Sequence, residues 1–178
     1  VNKIAISFEE SRKFFPKAKI VLCGCPSRVP QEPYDKEKIV KNFGLRPGKT
    51  TFLVCGGSQG SQRINNSFLE TLPLLRKIFD LQVIHITGQR DFEILKKKYE
   101  ELQIPYFLSP FLEEMDQAYA VADLAIARAG AVTVTEVALF AVPTVFVPYP
   151  LAGGHQKNNA MILTEAGTAV MIEEKDLT

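Results

Sequence analysis

The sequence predicts an α/β domain with a Rossmann-like, doubly wound parallel sheet. Short apolar runs rich in β-forming residues alternate with helical patterns about five times along the chain. Several of these runs are continuously apolar, which is typical of parallel strands covered on both faces. The predicted strands are 19–22, 51–55, 81–87, 105–108, 124–127, 144–147 and 169–172.

Helical patterns occupy the segments between these runs. The clearest is a single apolar stripe with helical spacing, formed by Ile64, Phe68, Leu72 and Leu75. Three further segments predict helices: 92–102, 132–140 and 158–165. The alternation of strand and helix is what favours a parallel sheet over an antiparallel one.

Length and composition bound the class of protein. The 178 residues suit one domain, or one domain with a fragment of another. Apolar residues make up 46% and charged residues 23%, which excludes wholesale disorder. A net charge of +1 gives no support to nucleic-acid binding by bulk electrostatics. Three cysteines, an odd number, indicate a reducing, cytosolic compartment, and two histidines make a zinc site unexpected.

The domain division is predicted from a proline-rich stretch and from the chain ends. Pro26, Pro30 and Pro33 exclude a regular helix and indicate a linker, which separates residues 1–27 from a main domain at 28–178. The chain starts at Val1 and stops on residues typical of a helix N-cap, so we expect a piece of a longer protein. A processed terminus is the alternative.

A glycine-rich turn, residues 56–60, joins the predicted strand 51–55 to a helix. Such a turn lets backbone N–H groups approach an anion, which the helix dipole also favours. Ser58 could add a hydroxyl donor. The spacing matches neither the dinucleotide glycine motif nor the Walker motif, and a tight turn that needs glycine for backbone reasons is the alternative.

Two more polar loops follow later strands. The loop after strand 124–127 leads to Glu136, whose carboxylate could accept hydrogen bonds from a ribose diol or simply favour the start of a helix. The loop 148–157 holds His155 and Gln156, which suit sugar hydroxyls, or it is a solvated loop. Arg28, in the linker, could reach a diphosphate across a cleft or be a surface arginine.

These loops together resemble the MurG family of bacterial UDP-N-acetylglucosamine transferases. The resembling segments are 56–60 with Asn65-Asn66, 128–136 with Pro143 and Phe146–Tyr149, and His155-Gln156 with Asn159-Ala160. Residues 4–9 and 24–28 resemble the end of that family's first domain and its linker. Cys25 and Ser27 depart from the usual linker, and His155 stands where the family often has glutamine.

The resemblance implies one domain of a GT-B glycosyltransferase, inverting and without a bound metal or other cofactor. It implies transfer of GlcNAc from UDP-GlcNAc to lipid I, giving lipid II for peptidoglycan, by a cytoplasmic enzyme peripheral to the inner face of the cell membrane. The acceptor-lipid site and the catalytic base would belong to the first domain. This fragment would therefore carry no catalytic residue and would be inactive alone.

The same resemblance assigns donor contacts to particular positions. Gly57, Ser58, Gln59 and Gly60 would hold the diphosphate, with Arg28 near the phosphates. The backbone at Leu112 would read the uracil, while Val132 and Thr133 would line the nucleotide pocket. Glu136 would hold the ribose, and His155 and Gln156 the sugar.

Other classes of function stay open from the sequence. A donor-binding subunit of a split UDP-GlcNAc transferase would carry the same loops, with the acceptor half on another chain. A nucleotide-binding regulatory module would share the fold without catalysis. A nicotinamide oxidoreductase is less favoured, because the dinucleotide glycine spacing is absent.

Overall fold

The protein folds into two sheets flanked by helices. The computed structural model describes residues 3–15, 19–27 and 33–177. In chain order the elements are β1 (Ile4–Ile6), a 3-10 helix (Glu9–Phe14), β2 (Ile20–Leu22), α1 (Lys36–Asn42), β3 (Thr50–Cys55), α2 (Gln62–Leu75), β4 (Leu81–Ile86), α3 (Phe92–Leu102), β5 (Tyr106–Ser109), α4 (Met115–Val121), β6 (Leu124–Ala127), α5 (Ala131–Leu139), β7 (Thr144–Phe146), α6 (His155–Glu165), β8 (Ala169–Met171) and a 3-10 helix (Glu174–Asp176).

The larger sheet has six parallel strands in the order β5-β4-β3-β6-β7-β8. The chain starts this sheet at its centre with β3, builds outward to β5, and then returns to place β6 on the other side of β3. The strand order therefore reverses between β3 and β6, which is where open α/β sheets bind ligands. The predicted Rossmann-like, doubly wound class is confirmed, and each predicted strand matches an observed one to within one residue at either end.

A second, smaller sheet contains β1 and β2, which pair in parallel with Ile4 opposite Ile20. The sequence predicts β2 but not β1, because a strand of three residues gives too short an apolar run to stand out. The proposed division between residues 27 and 28 stays a prediction, and part of the linker lies outside the described residues.

Three helical features differ from the sequence prediction. The sequence does not predict helix α1, because its two buried residues, Ile39 and Val40, form no apolar stripe. The sequence does not predict helix α4 either, because this short helix is apolar on several sides and shows no clear 3.6-residue period. Helix α6 begins at His155 rather than at 158, because Gly154 turns the chain into it with a φ of 80°.

The core lies on both faces of the six-stranded sheet. Leu53 packs on the face covered by α1, α4, α5 and α6, while its neighbours Phe52 and Val54 pack on the face covered by α2 and α3. The predicted apolar stripe of α2 enters this second face, where Leu72 is fully buried. Burial on both faces explains the continuous apolar runs of the strands. Among the described residues, no helix combines the length and apolar character needed to cross a membrane.

Candidate functional site

A cleft of about 900 Å³ opens at the carboxyl ends of β3 and β6. It lies at the point where the strand order reverses. Loops that follow β3, β4, β6 and β7 form its walls. The lining residues are Gly56, Gly57, Ser58, Gln59, Gly60, Ser61, Gln62, Arg63, Gln89, Arg90, Arg128, Gly130, Thr133, Tyr149, Gln156 and Glu174.

The floor of the cleft is the glycine-rich loop after β3. The Gly60 N–H donates to the Gly57 carbonyl at 2.9 Å, which closes a tight turn. A Cβ atom on Gly60 would lie 2.1 Å from the Thr87 carbonyl oxygen, and its φ of +73° also disfavours a side chain. The loop therefore needs glycine here because its backbone is pressed against the turn that follows β4.

Two helices point their N-termini at this cleft. Helix α2 begins after Ser61, whose Oγ accepts from the Ile64 N–H at 3.4 Å. Helix α5 begins after Gly130, and no side chain caps it. Because the first turns of a helix present unpaired N–H groups and a positive dipole end, these two helices favour an anion between them.

A buried arginine ties the loops around the cleft together. The guanidinium of Arg128 donates to the carbonyls of Val147 and Pro148 at 3.1 and 3.2 Å, and to Ser61 Oγ at 2.7 Å. It also forms an ion pair with Glu174 and lies over the ring of Tyr149. Since all of these groups line or border the cleft, Arg128 sets the spacing of its walls.

The predicted sugar contacts sit in the first turn of α6. The Oε1 atom of Gln156 accepts from the Tyr149 N–H at 2.9 Å, which leaves its amide NH₂ to donate. Gln156 lines the cleft, whereas His155 is exposed and not among the lining residues. The ring of His155 instead meets that of Phe14 edge-on, with 6.2 Å between centroids.

The predicted nucleotide contacts on α5 lie at and behind the cleft. Thr133 lines it, Val132 is half exposed beside Thr133, and Glu136 is half-buried one turn further on.

Glu136 also affects two buried groups behind the cleft. Burial raises the pKa of Tyr119 above its usual range, and both the charge of Glu136 and a hydrogen bond between Tyr119 and Glu136 add to this rise. Burial and the Glu136 charge likewise raise the pKa of the Cys55 thiol to about 12, so no thiolate nucleophile is available there.

The structure brings together most of the predicted diphosphate contacts. Gly57, Ser58, Gln59 and Gly60 line the cleft with Thr133 and Gln156. Leu112 is half-buried against the core and does not line it. Arg28 lies outside the described residues.

The sequence assigned no ligand contact to several residues that line the cleft: Arg63, Gln89, Arg90, Arg128, Tyr149 and Glu174. Arg128 and Tyr149 did carry a signal, because they lie in the segments 128–136 and Phe146–Tyr149 that resemble the MurG family. The others lie in ordinary polar segments, and only the fold brings them to one place. Within the described part of the chain, no group of three or more His, Cys, Asp or Glu side chains could hold a metal ion.

Fold and cleft together define a class: Rossmann-like domains with a cleft at the sheet's switch point, faced by two helix N-termini whose N–H groups and dipoles suit an anion. Comparison with known proteins narrows this class. Residues 51–178 match the glycosyltransferase family 28 C-terminal domain, so the chain belongs to that family.

Individual relatives agree with this family assignment. The chain is 38% identical over 187 residues to a UDP-N-acetylglucosamine–N-acetylmuramyl-(pentapeptide) pyrophosphoryl-undecaprenol N-acetylglucosamine transferase of Halothermothrix orenii, covering 99% of this chain and 50% of that protein. The protein of the same name from Geotalea daltonii is 39% identical, with 99% and 48% covered. The chain thus spans about half the length of the curated relatives it matches.

Solved structures give the same result for the fold. The crystal structure of Acinetobacter baumannii MurG matches with a TM-score of 0.74 and 29% identity, covering 99% of this chain and 54% of that one. A kitacinnamycin glycosyltransferase matches with a TM-score of 0.65 at 18% identity, over 90% of this chain and 38% of that one. These neighbours place the domain among the GT-B glycosyltransferases.

Proposed function

We propose that this chain is the donor-binding half of an inverting GlcNAc transferase that converts lipid I to lipid II. The observation that carries the proposal is the cleft at the switch point, where a glycine loop and two helix N-termini converge. Such a site suits the diphosphate of UDP-GlcNAc. The names of the relatives support this donor and acceptor.

The diphosphate would lie over the glycine loop. The N–H groups of 57–60 and the Ser58 hydroxyl would donate to its oxygens, with Thr133 and Arg28 nearby. As the muramyl 4-hydroxyl attacks the anomeric carbon, the new C–O bond forms while the bond to the diphosphate breaks. Negative charge then grows on the leaving UDP, and preorganised donors with the two helix dipoles would stabilise it without a metal.

The nucleoside and the sugar would extend from opposite ends of the diphosphate. Glu136 would accept from the ribose hydroxyls, with the uracil near the backbone of Leu112 and the side chain of Val132. Gln156 and His155 would hold hydroxyls of the GlcNAc. The Gln156 amide NH₂ would donate, because its oxygen already accepts from Tyr149.

The acceptor half of the reaction would lie outside these 178 residues. Lipid I and the base that takes the proton of the muramyl hydroxyl would be bound and supplied by the part of the relatives that this chain does not span. The intact protein would work in the cytoplasm, peripherally on the inner face of the cell membrane.

Titration calorimetry with UDP, UDP-GlcNAc and an ADP-sugar tests the donor assignment. We expect binding of the two uridine ligands and little of the ADP-sugar. Equal affinity for all three, or binding of none, would overturn the proposal.

A variant separates the ribose contact from the phosphate contacts. Glu136→Gln should weaken UDP by about tenfold and inorganic pyrophosphate hardly at all, because only UDP carries the ribose. Glu70→Gln, on the exposed side of α2, is the matched control and should change neither. If both ligands weaken alike, Glu136 is not the ribose contact.

A further inference from the structure

A chain of hydrogen bonds between buried side chains runs beneath one wall of the cleft. His85 and Tyr99 are fully buried, and 2.9 Å separates His85 Nδ1 from Tyr99 Oη. His85 Nε2 lies 2.9 Å from Oδ1 of Asn65, which is also fully buried. The Asn65 amide nitrogen donates to the Thr87 carbonyl at 3.0 Å and to Asp91 Oδ2 at 2.9 Å.

The two acceptors at the Asn65 end of this hydrogen-bond network determine which atom donates and which accepts in each of its bonds. The Asn65 nitrogen faces a carbonyl and a carboxylate, which only accept, so its oxygen must face His85. His85 Nε2 therefore carries the proton, and Nδ1 accepts from the Tyr99 hydroxyl. Burial lowers the pKa of His85 to about 3, so the imidazole stays neutral and this arrangement persists.

Asn65 clamps both ends of the turn that follows β4. Between the two clamped residues, Thr87 and Asp91, the turn sends Gln89 and Arg90 into the cleft lining. The Arg90 side chain is 72% exposed, and its Nε lies 3.3 Å from Asp91 Oδ1.

The same turn supports the glycine-rich loop from behind. A Cβ atom on Gly88 would lie 2.3 Å from the carbonyl oxygen of Gln59, so the two backbones are in close contact. A displacement of the turn would therefore move both the cation at the cleft wall and the floor of the cleft.

Packing alone does not need this polar chain. Apolar side chains surround it on the α2 and α3 face, and replacing paired buried polar groups with apolar ones of similar shape is often neutral for stability. An apolar replacement would leave the turn without its clamp. These buried hydrogen bonds therefore fix the position of the turn at the cleft wall, and the packing of the core does not depend on them.

We propose that Asn65, backed by His85 and Tyr99, is a positioning residue for the donor site: it holds the turn 87–91 so that Arg90 meets the diphosphate of a nucleoside-diphosphate donor. This assignment rests on the proposed donor-binding function. Asn65 itself touches no ligand. It acts through Asp91 and the Thr87 carbonyl.

Hydrogen exchange on the 178-residue chain tests the clamp without any ligand. In Asn65→Leu, the amides of Thr87 and Gly88, which donate to the carbonyls of Ser109 and Pro110, should exchange at least about tenfold faster than in the wild type, while those of α5 stay unchanged. Tyr106→Phe is the matched control, because Tyr106 stacks on Tyr99 at 4.9 Å but lies outside the chain of hydrogen bonds. Unchanged exchange in the turn, or faster exchange spread evenly over the domain, would overturn the proposal.

A double-mutant cycle tests the link to the ligand. Asn65→Leu and Arg90→Gln should each weaken UDP and inorganic pyrophosphate by about tenfold in calorimetry. If Asn65 acts mainly through Arg90, the double variant should bind only about two- to threefold weaker than Arg90→Gln alone, the remaining loss coming through the glycine-rich loop behind the turn. Multiplying effects would overturn the positioning role.

A second variant keeps the test valid if Asn65→Leu does not fold. Tyr99→Phe preserves the shape of the ring and removes only the donor to His85, and it should change exchange in the turn and binding in the same direction by less. Should the wild-type chain bind none of the nucleotides, the proposed function fails, and the clamp then stands or falls on the exchange data alone.

Discussion

The two halves of the six-stranded sheet support the cleft with buried polar groups of different kinds. Beneath β3–β5 the support is a directed chain of three uncharged side chains, Tyr99, His85 and Asn65, which ends on the Thr87 carbonyl and the Asp91 carboxylate. Beneath β6–β8 the support is a cation, Arg128, which is paired with Glu174 and three further acceptors. No buried side-chain nitrogen or oxygen of the described residues is left without a hydrogen-bond partner.

The difference lies in how far each support depends on its partners. Neutral groups lose less solvation on burial than an ion, and a neutral group that is left unpaired costs about 1–3 kcal/mol, less than an unpaired charge. A buried guanidinium is stable only while its acceptors stay in place, and those acceptors become unpaired when it is removed. Loss of Arg128 should therefore reduce the stability more than loss of one neutral side chain. The neutral network contains His85, so it should make the stability depend on pH.

Removing the buried cation should have the largest effect. Arg128→Met leaves Ser61, two carbonyls and Glu174 without their donor, so we expect a loss of about 3–5 kcal/mol in the free energy of unfolding, measured with urea. Arg90→Met, an exposed arginine of the same cleft, should change it by less than about 0.5 kcal/mol. Equal stability of the two variants would show that Arg128 is no support.

A side chain in the glycine loop should have the next largest effect. Gly60→Ala adds a Cβ atom against the Thr87 carbonyl at a positive φ, which should cost about 2–4 kcal/mol in urea unfolding. Gly57→Ala is the matched control, since its φ is also positive but no atom lies within 4 Å of its Cβ; it should cost about 1 kcal/mol. Similar losses would mean that the loops do not touch as described.

The buried, neutral His85 should make the free energy of unfolding depend on pH. The folded pKa of His85, about 3, lies below the unfolded value near 6.5, so between these pH values only the unfolded chain gains the proton. Stability should therefore fall as the pH drops below 6.5, by about 2 kcal/mol at pH 5 relative to pH 7. Urea unfolding at both pH values measures the difference.

The histidine variants identify the group responsible for that fall. His85→Gln should abolish most of the difference between pH 7 and pH 5, because no imidazole remains to titrate. His155→Gln, which removes an exposed ring, should retain it. The reverse pattern would exclude His85 as the source.

Replacing Ser61, which contacts groups in both halves of the sheet, should have the smallest effect on stability. Ser61 caps α2 and also accepts from Arg128, so Ser61→Ala should cost about 1 kcal/mol in urea unfolding. Ser58→Ala, which removes an exposed hydroxyl three residues earlier, should leave stability within about 0.5 kcal/mol. A loss with Ser58→Ala as large as with Ser61→Ala would argue against the shared support.

Much of the fold could be predicted because its signals are local. Continuous apolar runs indicate buried parallel strands, and the period of α2 identifies its buried face. Elements without such a signal were missed: α1 is mostly charged, α4 has no clear period, and β1 is too short. The start of α6 was misplaced because it depends on the left-handed conformation of Gly154, which no periodicity reports.

The sequence by itself determined the alternation of strands and helices, and with it the expectation that polar loops gather at the carboxyl ends of the strands. Only the tertiary structure decided how those loops are held. Arg128 meets Ser61 and Glu174, and Asn65 meets His85 and Asp91, across separations of 20 to 67 residues. Local patterns report which residues are buried, whereas the partners of a buried polar group are set by the packing of distant segments.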